Sequence, residues 1–556
     1  MKKSKNLNSL FACYGILIIV WFLAGCREKG PEIQSIEPRI GRMGDVLTIR
    51  GKGFGDERNE SFITIAGTSP TSSSYISWND GEVLVRIPEF GEAGLVYVHR
   101  GRKKSNPSLF ANQVTLPTPI EGTQTENTPR ISSIEPSSGA IGSLITIQGN
   151  NFGSSLESSG VFFTWDAESP TGGIHGLDFL DFIEAFESEY GYDLWSEREI
   201  RVRIPDGASS GSLEVRTPRG NSPPVYFEIS GKPGTKIFRD KRSYTISYSV
   251  DFSIDKASIP NALYIWMPQP TLSASQRNVR LLSRSTDPFV ENYRGTSLFQ
   301  FVDAHPKTGI NLTVSYVVDV YAVETSIKSQ TPVRLNSPSP LGTILPSPLV
   351  PSNDPVVKAK SAEIIGNERL PYPNAQKIYD WLVSTIQIAD VSQTSNTPQI
   401  VNTPLSGSVF EALEENKADS FSASLLFCAL ARAAGIPAQP VAGVIVNREG
   451  IAFTHCWAEF WLDGFGWIPL DPALGAGAQP PNFNLWEDHA KYYFGNLDSQ
   501  RIAFSRGERF LSQMTPWGQI AERGREYSLQ NIWEEAAEGL ETYSSLWSDV
   551  TITGIY

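Results

Sequence analysis

Cysteine and histidine are scarce, with four of the first and five of the second among 556 residues. Cys13 and Cys26 lie at the N-terminus, so only Cys428 and Cys456 serve the body of the chain, too few for a disulfide framework. The histidines are scattered and no cysteine–histidine cluster has zinc-site spacing, so no metal and no other cofactor is expected. Basic residues also fall short, with 47 Lys and Arg against 60 Asp and Glu and a net charge of −13. That balance excludes nucleic acid as a partner, and adhesion to anionic lipid by charge alone. What abounds is 46 Gly and 38 Pro with 11% aromatics, which favours short strands and turns over a helical protein. The length allows three to five domains.

At the N-terminus, Lys2, Lys3 and Lys5 precede an apolar run from Phe11 to Ala24, too short and too abruptly ended for a membrane span. The run closes on Leu23-Ala24-Gly25-Cys26, which resembles the bacterial lipobox. The resemblance implies a signal peptide over 1–25, a lipid on Cys26, and an extracytoplasmic chain anchored to a bacterial membrane or cell surface. The alternatives are an ordinary signal peptide or a short buried helix. Loss of the three lysines leaves 44 of the 47 basic residues against 60 acidic ones, so the acyl chains must supply the anchoring.

Residues 31–116 and 129–230 are two copies of one module. Ile33, Ser35-Ile36-Glu37-Pro38, Gly41, Gly44, Thr48-Ile49, Gly51 and Phe54-Gly55 recur 98 residues later as Ile131, Ser133-Ile134-Glu135-Pro136, Gly139, Gly142, Thr146-Ile147, Gly149 and Phe152-Gly153. Val85-Arg86-Ile87-Pro88 recurs 117 residues later as Val202-Arg203-Ile204-Pro205, so the second copy carries an insertion, placed within 164–195. Alternation at Leu47-Thr48-Ile49-Arg50 and the glycines from Gly51 to Gly55 read as short strands with a bend. The pattern resembles the IPT/TIG family of Ig-like domains, which implies small β-sandwiches used as spacers or for binding. Neither copy holds a titratable constellation, so both are expected to act as a stalk. The acidic, aromatic stretch Phe179-Leu180-Asp181-Phe182-Ile183 is expected to form a local packing helix rather than a partner contact.

The linker 116–129 is Pro/Thr-rich and extended in expectation. Beyond it and the second module, Tyr244, Ile246, Tyr248, Val250, Phe252 and Ile254 alternate as in a half-buried strand, with further strands at Ala262–Met267 and Leu312–Val323. Residues 236–330 are read as a third β-domain, similar to the one preceding the catalytic part of many bacterial transglutaminase-like proteins. After a Pro-rich connector, 331–355, the period turns helical: Ala375, Ile378, Tyr379, Leu382 and Ile386 share a face. Ser408-Val409-Phe410-Glu411 has the form of a capping box, and a second helix is expected from Asp419-Ser420 to Ala434, ended by Gly435 and Pro437. Strands are expected at Val441–Val446, Phe453–Leu462 and Trp467–Leu470. Leu529, Trp533, Ala536, Leu540, Tyr543 and Trp547 lie at helical spacing, so 476–556 is read as an extension whose amphipathic helix packs back on the core.

Leu430-Ala431-Arg432-Ala433-Ala434-Gly435-Ile436-Pro437-Ala438, His455-Cys456-Trp457-Ala458-Glu459 and Gly466-Trp467-Ile468-Pro469-Leu470-Asp471-Pro472 resemble the transglutaminase-like (transglutaminase/protease core) superfamily over about 355–475. The whole is therefore read as multidomain: two all-β Ig-like sandwiches, a further β-domain, then an α+β papain-like transglutaminase core. In that family a cysteine at the start of the arginine-bearing helix is the nucleophile, a histidine the base and an aspartate its orienter. The resemblance assigns the base to His455 and the orienter to Asp471. Counting back from Arg432, the nucleophile's position holds Ser420.

Neither cysteine is placed to substitute. Cys428 lies eight residues into the same helix, about 12 Å along its axis and turned by roughly 80°. Cys456 alternates with His455 on a strand and shares the apolar face with Ala458 and Phe460. A serine hydroxyl cannot stand pre-ionised as a helix-N-terminal thiol can, and must lose its proton to His455 during attack. Two readings stay open: a weak or lost amide hydrolase or acyltransferase acting through Ser420, His455 and Asp471, or a non-catalytic pseudoenzyme and adhesin in which Ser420 only helps Asp419 cap a helix. In either, a protein or peptide is the expected ligand.

Overall fold

A computed structural model describes residues 30–556 except 39, 42–43, 66, 89–93, 102, 113–126, 157–158, 166–181, 187–190, 232, 328–334, 336–344 and 390–406. The expected signal segment, Cys26, most of the Pro/Thr-rich linker and most of the connector 331–355 lie outside the described residues. The chain is mostly β, in several sheets. No helix among the described residues is long and apolar enough to cross a membrane. It divides into two compact units, residues 1–110 and 111–556.

In the first unit, strands Glu32–Glu37, Val46–Lys52, Glu82–Arg86 and Tyr75–Trp78 form one sheet, in that order, and Ile40–Gly41, Ser108–Asn112, Gly94–Arg100 and Phe62–Ile65 form the other. The alternating residues Leu47, Ile49, Val83 and Val85 close around Phe54 to make its core. The second repeat reproduces the first sheet with Arg130–Glu135, Leu144–Asn150, Glu199–Arg203 and Tyr192–Trp195. Both copies bulge at the same place, between Ile33 and Ser35 and between Ile131 and Ser133. The repeated Gly-x-x-Phe has a steric cause. A Cβ on Gly51 would lie 2.0 Å from the Glu32 carbonyl and 2.5 Å from the Phe54 ring, and on Gly149 2.1 Å from Arg130 and 2.3 Å from Phe152. The part of the insertion within the described residues is a strand, Phe182–Glu184, paired with Gly160–Trp165, and not the expected helix. Ile183 is buried in the module core while its neighbours are half-buried, which is strand alternation.

Residues 234–327 supply four strands: β1 (Gly234–Pro268), β2 (Gln276–Arg284), β3 (Thr296–Val302) and β4 (Gly309–Ile327). The two strands expected at 244–254 and 262–267 are one, since β1 runs 35 residues and bends through register shifts. The helices follow: α1 (Pro355–Ile365), α2 (Pro371–Thr385), α3 (Ser408–Glu415) and α4 (Ser420–Ala433). Ala375, Ile378, Tyr379, Leu382 and Ile386 are all buried, as their spacing requires. The capping box does not form. The N-cap of α3 is Gly407, with positive φ and no side-chain cap, and Ser408 is already helical.

Four antiparallel strands carry the rest of this part: β5 (Ala438–Val446), β6 (Ala452–Leu462), β7 (Gly466–Leu470) and β8 (Arg501–Arg506), in the order β7-β6-β5-β8. Helix α4 is buried against this sheet, from Phe421 to Ala431, and forms the centre of the core. The C-terminal segment corrects the helical expectation. Beyond a helical turn at His489–Tyr492 and β8, its elements are strands β9 (Gln519–Ala521), β10 (Glu534–Trp547) and β11 (Thr551–Ile555). β10 and β11 pair with β1 and extend the sheet of the β-domain, so the chain end completes a domain begun roughly 300 residues earlier.

Candidate active site

Asp419 starts α4. Its Oδ1 accepts the Ser422 amide at 2.7 Å, which satisfies one orphan donor of the first turn. Ser420 is the first helical residue and is buried. Its Oγ accepts the backbone N–H of Cys456 at 3.3 Å, so the helix start is fastened to the strand residue next to His455. Along β6 the faces divide as alternation demands: Cys456, Ala458 and Phe460 enter the helical core, while Trp457 packs with Val441 and Leu474 on the other side.

His455 and Asp471 are wholly buried and meet at 2.8 Å through Nε2 and Oδ2. Asp471 follows β7 and caps a helical turn, Pro472–Gly475, its Oδ1 accepting the Leu474 amide at 3.0 Å. Burial alone would raise the Asp471 carboxyl, but charge and hydrogen bonding from His455, with Arg501 and the Leu474 N–H, bring it down to about 2. An ionised carboxylate accepts only, so Nε2 of a neutral His455 carries the proton and Nδ1 is left as the basic nitrogen. Nδ1 is buried and has no hydrogen-bond partner among the described residues.

The two cysteines are enclosed. Cys428 and Cys456 have no exposed surface, and burial pushes both thiols up, away from the thiolate. Among the described residues, no group of three or more His, Cys, Asp and Glu side chains is placed to hold a metal ion.

Two arginines escaped the sequence reading. Arg501, at the start of β8, donates from Nη1 to Asp471 Oδ2 at 3.0 Å and from Nη2 to Asp498 Oδ2 at 2.8 Å, with its guanidinium 5.0 Å from the Trp457 ring centre. Arg525, between β9 and β10, pairs through Nε with Asp419 Oδ2 and reaches Ser408 Oγ at 3.3 Å. The only signal for the first was a charged residue opening an apolar strand three positions after Asp498. Nothing local marks the second.

The model of the transglutaminase-like superfamily matches residues 358–472, the stretch that holds all three candidate residues. Residues 358–472 are a transglutaminase-like domain. The IPT/TIG domain model matches residues 31–112 and 129–164. An uncharacterized protein of Haemophilus influenzae is 31% identical over 183 residues, 28% of this chain and 48% of the relative, so the chain spans about half the length of that relative. Two solved structures match this chain at 15% identity. A candidate cysteine protease from Cytophaga hutchinsonii covers 58% of this chain and 92% of its own, with a TM-score of 0.36. The periplasmic domain of TgpA from Pseudomonas aeruginosa covers 41% of this chain and 87% of its own, with a TM-score of 0.20.

Proposed function

We propose that this chain is an extracytoplasmic lipoprotein, anchored through Cys26, whose transglutaminase-like domain receives a protein or peptide segment and acts on its amide groups slowly, because Ser420 stands in the nucleophile's place. The observation that carries the reading is the buried Asp471–His455 pair, which fixes the ring tautomer that leaves Nδ1 basic. In the reaction, the Ser420 hydroxyl loses its proton to Nδ1 as its oxygen attacks the amide carbonyl, and Asp471 stabilises the imidazolium. The leaving amine takes that proton. Water or a second amine then releases the acyl group by the same path.

Serine makes this slow for a physical reason. Ser420 Oγ is held by the Cys456 N–H and makes no hydrogen bond to His455, and an alkoxide cannot be stored in advance as a thiolate can. That missing contact favours the second reading, in which the site binds a peptide without turning it over and the Ig-like modules serve as a spacer.

Ser420→Cys tests the choice. The variant should gain on the order of a hundredfold in hydrolysis of glutaminyl peptides, about 2.7 kcal/mol of barrier, and lose the gain when His455 is also replaced by Ala. A Ser420→Cys variant as inert as the wild type sinks the acyl-transfer reading and leaves binding. Anchoring is tested by palmitate incorporation, which Cys26→Ser should abolish.

A further inference from the structure

The second Ig-like module contacts the hairpin that bears the candidate site. His455 lies on β6 and Asp471 follows β7, and the turn between these strands is held from outside the domain. Asp206, from the second module, accepts the Trp467 amide through Oδ2 at 3.2 Å and Lys236 Nζ through Oδ1 at 2.6 Å. Lys236, from β1, also donates to the carbonyls of Trp467 at 2.6 Å and Phe465 at 3.3 Å. The Gly464 amide donates to the Ile141 carbonyl of the module at 3.2 Å. Asp206 and Lys236 are both buried. A Cβ on Gly466 would lie 2.4 Å from Asp206 Oδ1, so glycine is what admits the carboxylate.

Apolar packing follows the same route. Trp461 and Trp467, from the two strands of the hairpin, join the core of the module with Ile141, Trp165 and Ile204. A cavity of about 50 Å³ is lined by Asp206 and Lys236 and also by Trp457 and Arg501, the residues flanking the dyad. Asp206 and Lys236 thus share a cavity wall with Trp457 and with Arg501, which bonds Asp471.

We propose that the second Ig-like module positions the His455–Asp471 pair, with Asp206 and Lys236 as the positioning residues, and is not a passive spacer. This holds whether or not Ser420 performs chemistry. The buried carboxylate and ammonium fix Phe465 and Trp467, where the turn enters β7, and removing either charge takes away the other's ion-pair partner.

The test uses the full chain with nitrogen-labelled histidine and needs no substrate, so an inert Ser420 does not affect it. Asp206→Asn keeps size and an acceptor, and Lys236→Met removes the donor. Both should speed hydrogen exchange at the Trp467 amide by about tenfold or more. Both should also shift the His455 ring nitrogens, the second variant more. Should Lys236→Met fail to fold, Asp206→Asn alone decides. Asp193→Asn, which removes the Arg203 ion pair (3.2 Å) inside the same module, is the control and should leave His455 unmoved. An unchanged Trp467 exchange rate overturns the proposal. So does a His455 ring that stays put in Asp206→Asn, or one that Asp193→Asn moves equally.

Discussion

Asp471 Oδ2 serves two donors, His455 Nε2 and Arg501 Nη1, and that sharing sets the electrostatics of the site. Arg501 bridges Asp471 and Asp498, and Tyr493 donates its hydroxyl to Asp498 at 3.0 Å. Two buried carboxylates thus share one guanidinium beside the imidazole. Arg501→Met should cost about 3–5 kcal/mol in denaturant unfolding, since it strands two buried carboxylates, and Arg501→Lys should cost less. The Asp471 carboxyl lies near 2, below its ordinary 3.8. Protonation therefore favours the unfolded chain: the stabilisation is fully present above about pH 4 and is lost as pH falls through about 2, amounting to about 2 kcal/mol. Unfolding measured between pH 5 and 2 should show this dependence in the wild type and a flatter curve in Asp471→Asn. His455 and Asp471 were legible because each sits in an ordered motif, and Ser420 by its distance from Arg432 on the same helix. Arg501 and Arg525 were not, since each meets its partner only through the fold, and in Arg525 that partner is 106 residues away.

At the scale of elements, the helices and strands around the site followed their apolar period, and the chain end did not. Trp533, Ala536, Leu540, Tyr543 and Trp547 recur every three to four residues, yet 534–547 is the strand β10. Bulges explain the spacing. Lys256 pairs with Thr542 and Ala257 with Leu540, so Glu541 is left unpaired on β10 and the step from Leu540 to Tyr543 becomes three, while Ala536 to Leu540 and Tyr543 to Trp547 are ordinary multiples of two. A bulged strand thus reproduces a helical pattern, and its pairing partner lies far back in the sequence, where no local window sees it. The failed capping box has a similar cause, since the Ser408 hydroxyl lies within reach of Arg525 and caps nothing. Gly539 separates the two structures of this segment by sign. In a helix, Gly539→Ala would stabilise by about 1 kcal/mol. In β10 the added Cβ would meet the Ser258 carbonyl at 2.0 Å and that of Pro260 at 2.5 Å, so the variant should instead lose more than about 1 kcal/mol. Chemical denaturation decides it, and a more stable Gly539→Ala would contradict the strand.

At the scale of the molecule, the two Ig-like repeats look interchangeable in sequence and differ in what they hold. The first keeps its core to itself, closed by residues between Ile33 and Phe110. The second shares its core with Phe238, Val323, Trp461 and Trp467, residues of the β-domain and of the hairpin bearing His455. The repeat pattern could not reveal this difference, because the residues that make it lie outside both repeats. Truncation should expose it. A chain beginning at residue 128 removes the first compact unit and serves as the reference. A chain beginning at residue 233 uncovers two buried tryptophans, a phenylalanine and a valine, each contributing roughly 1.5–3 kcal/mol when buried. It also leaves Lys236 without Asp206. A combined loss of about 5 kcal/mol or more corresponds, for a chain of this length, to a melting temperature lower by about 7 °C or more. The shorter chain should therefore melt early or precipitate, with the hairpin of Trp461 and Trp467 the first part to lose exchange protection. Equal melting of both truncated chains would mean that the second module does not stabilise the site.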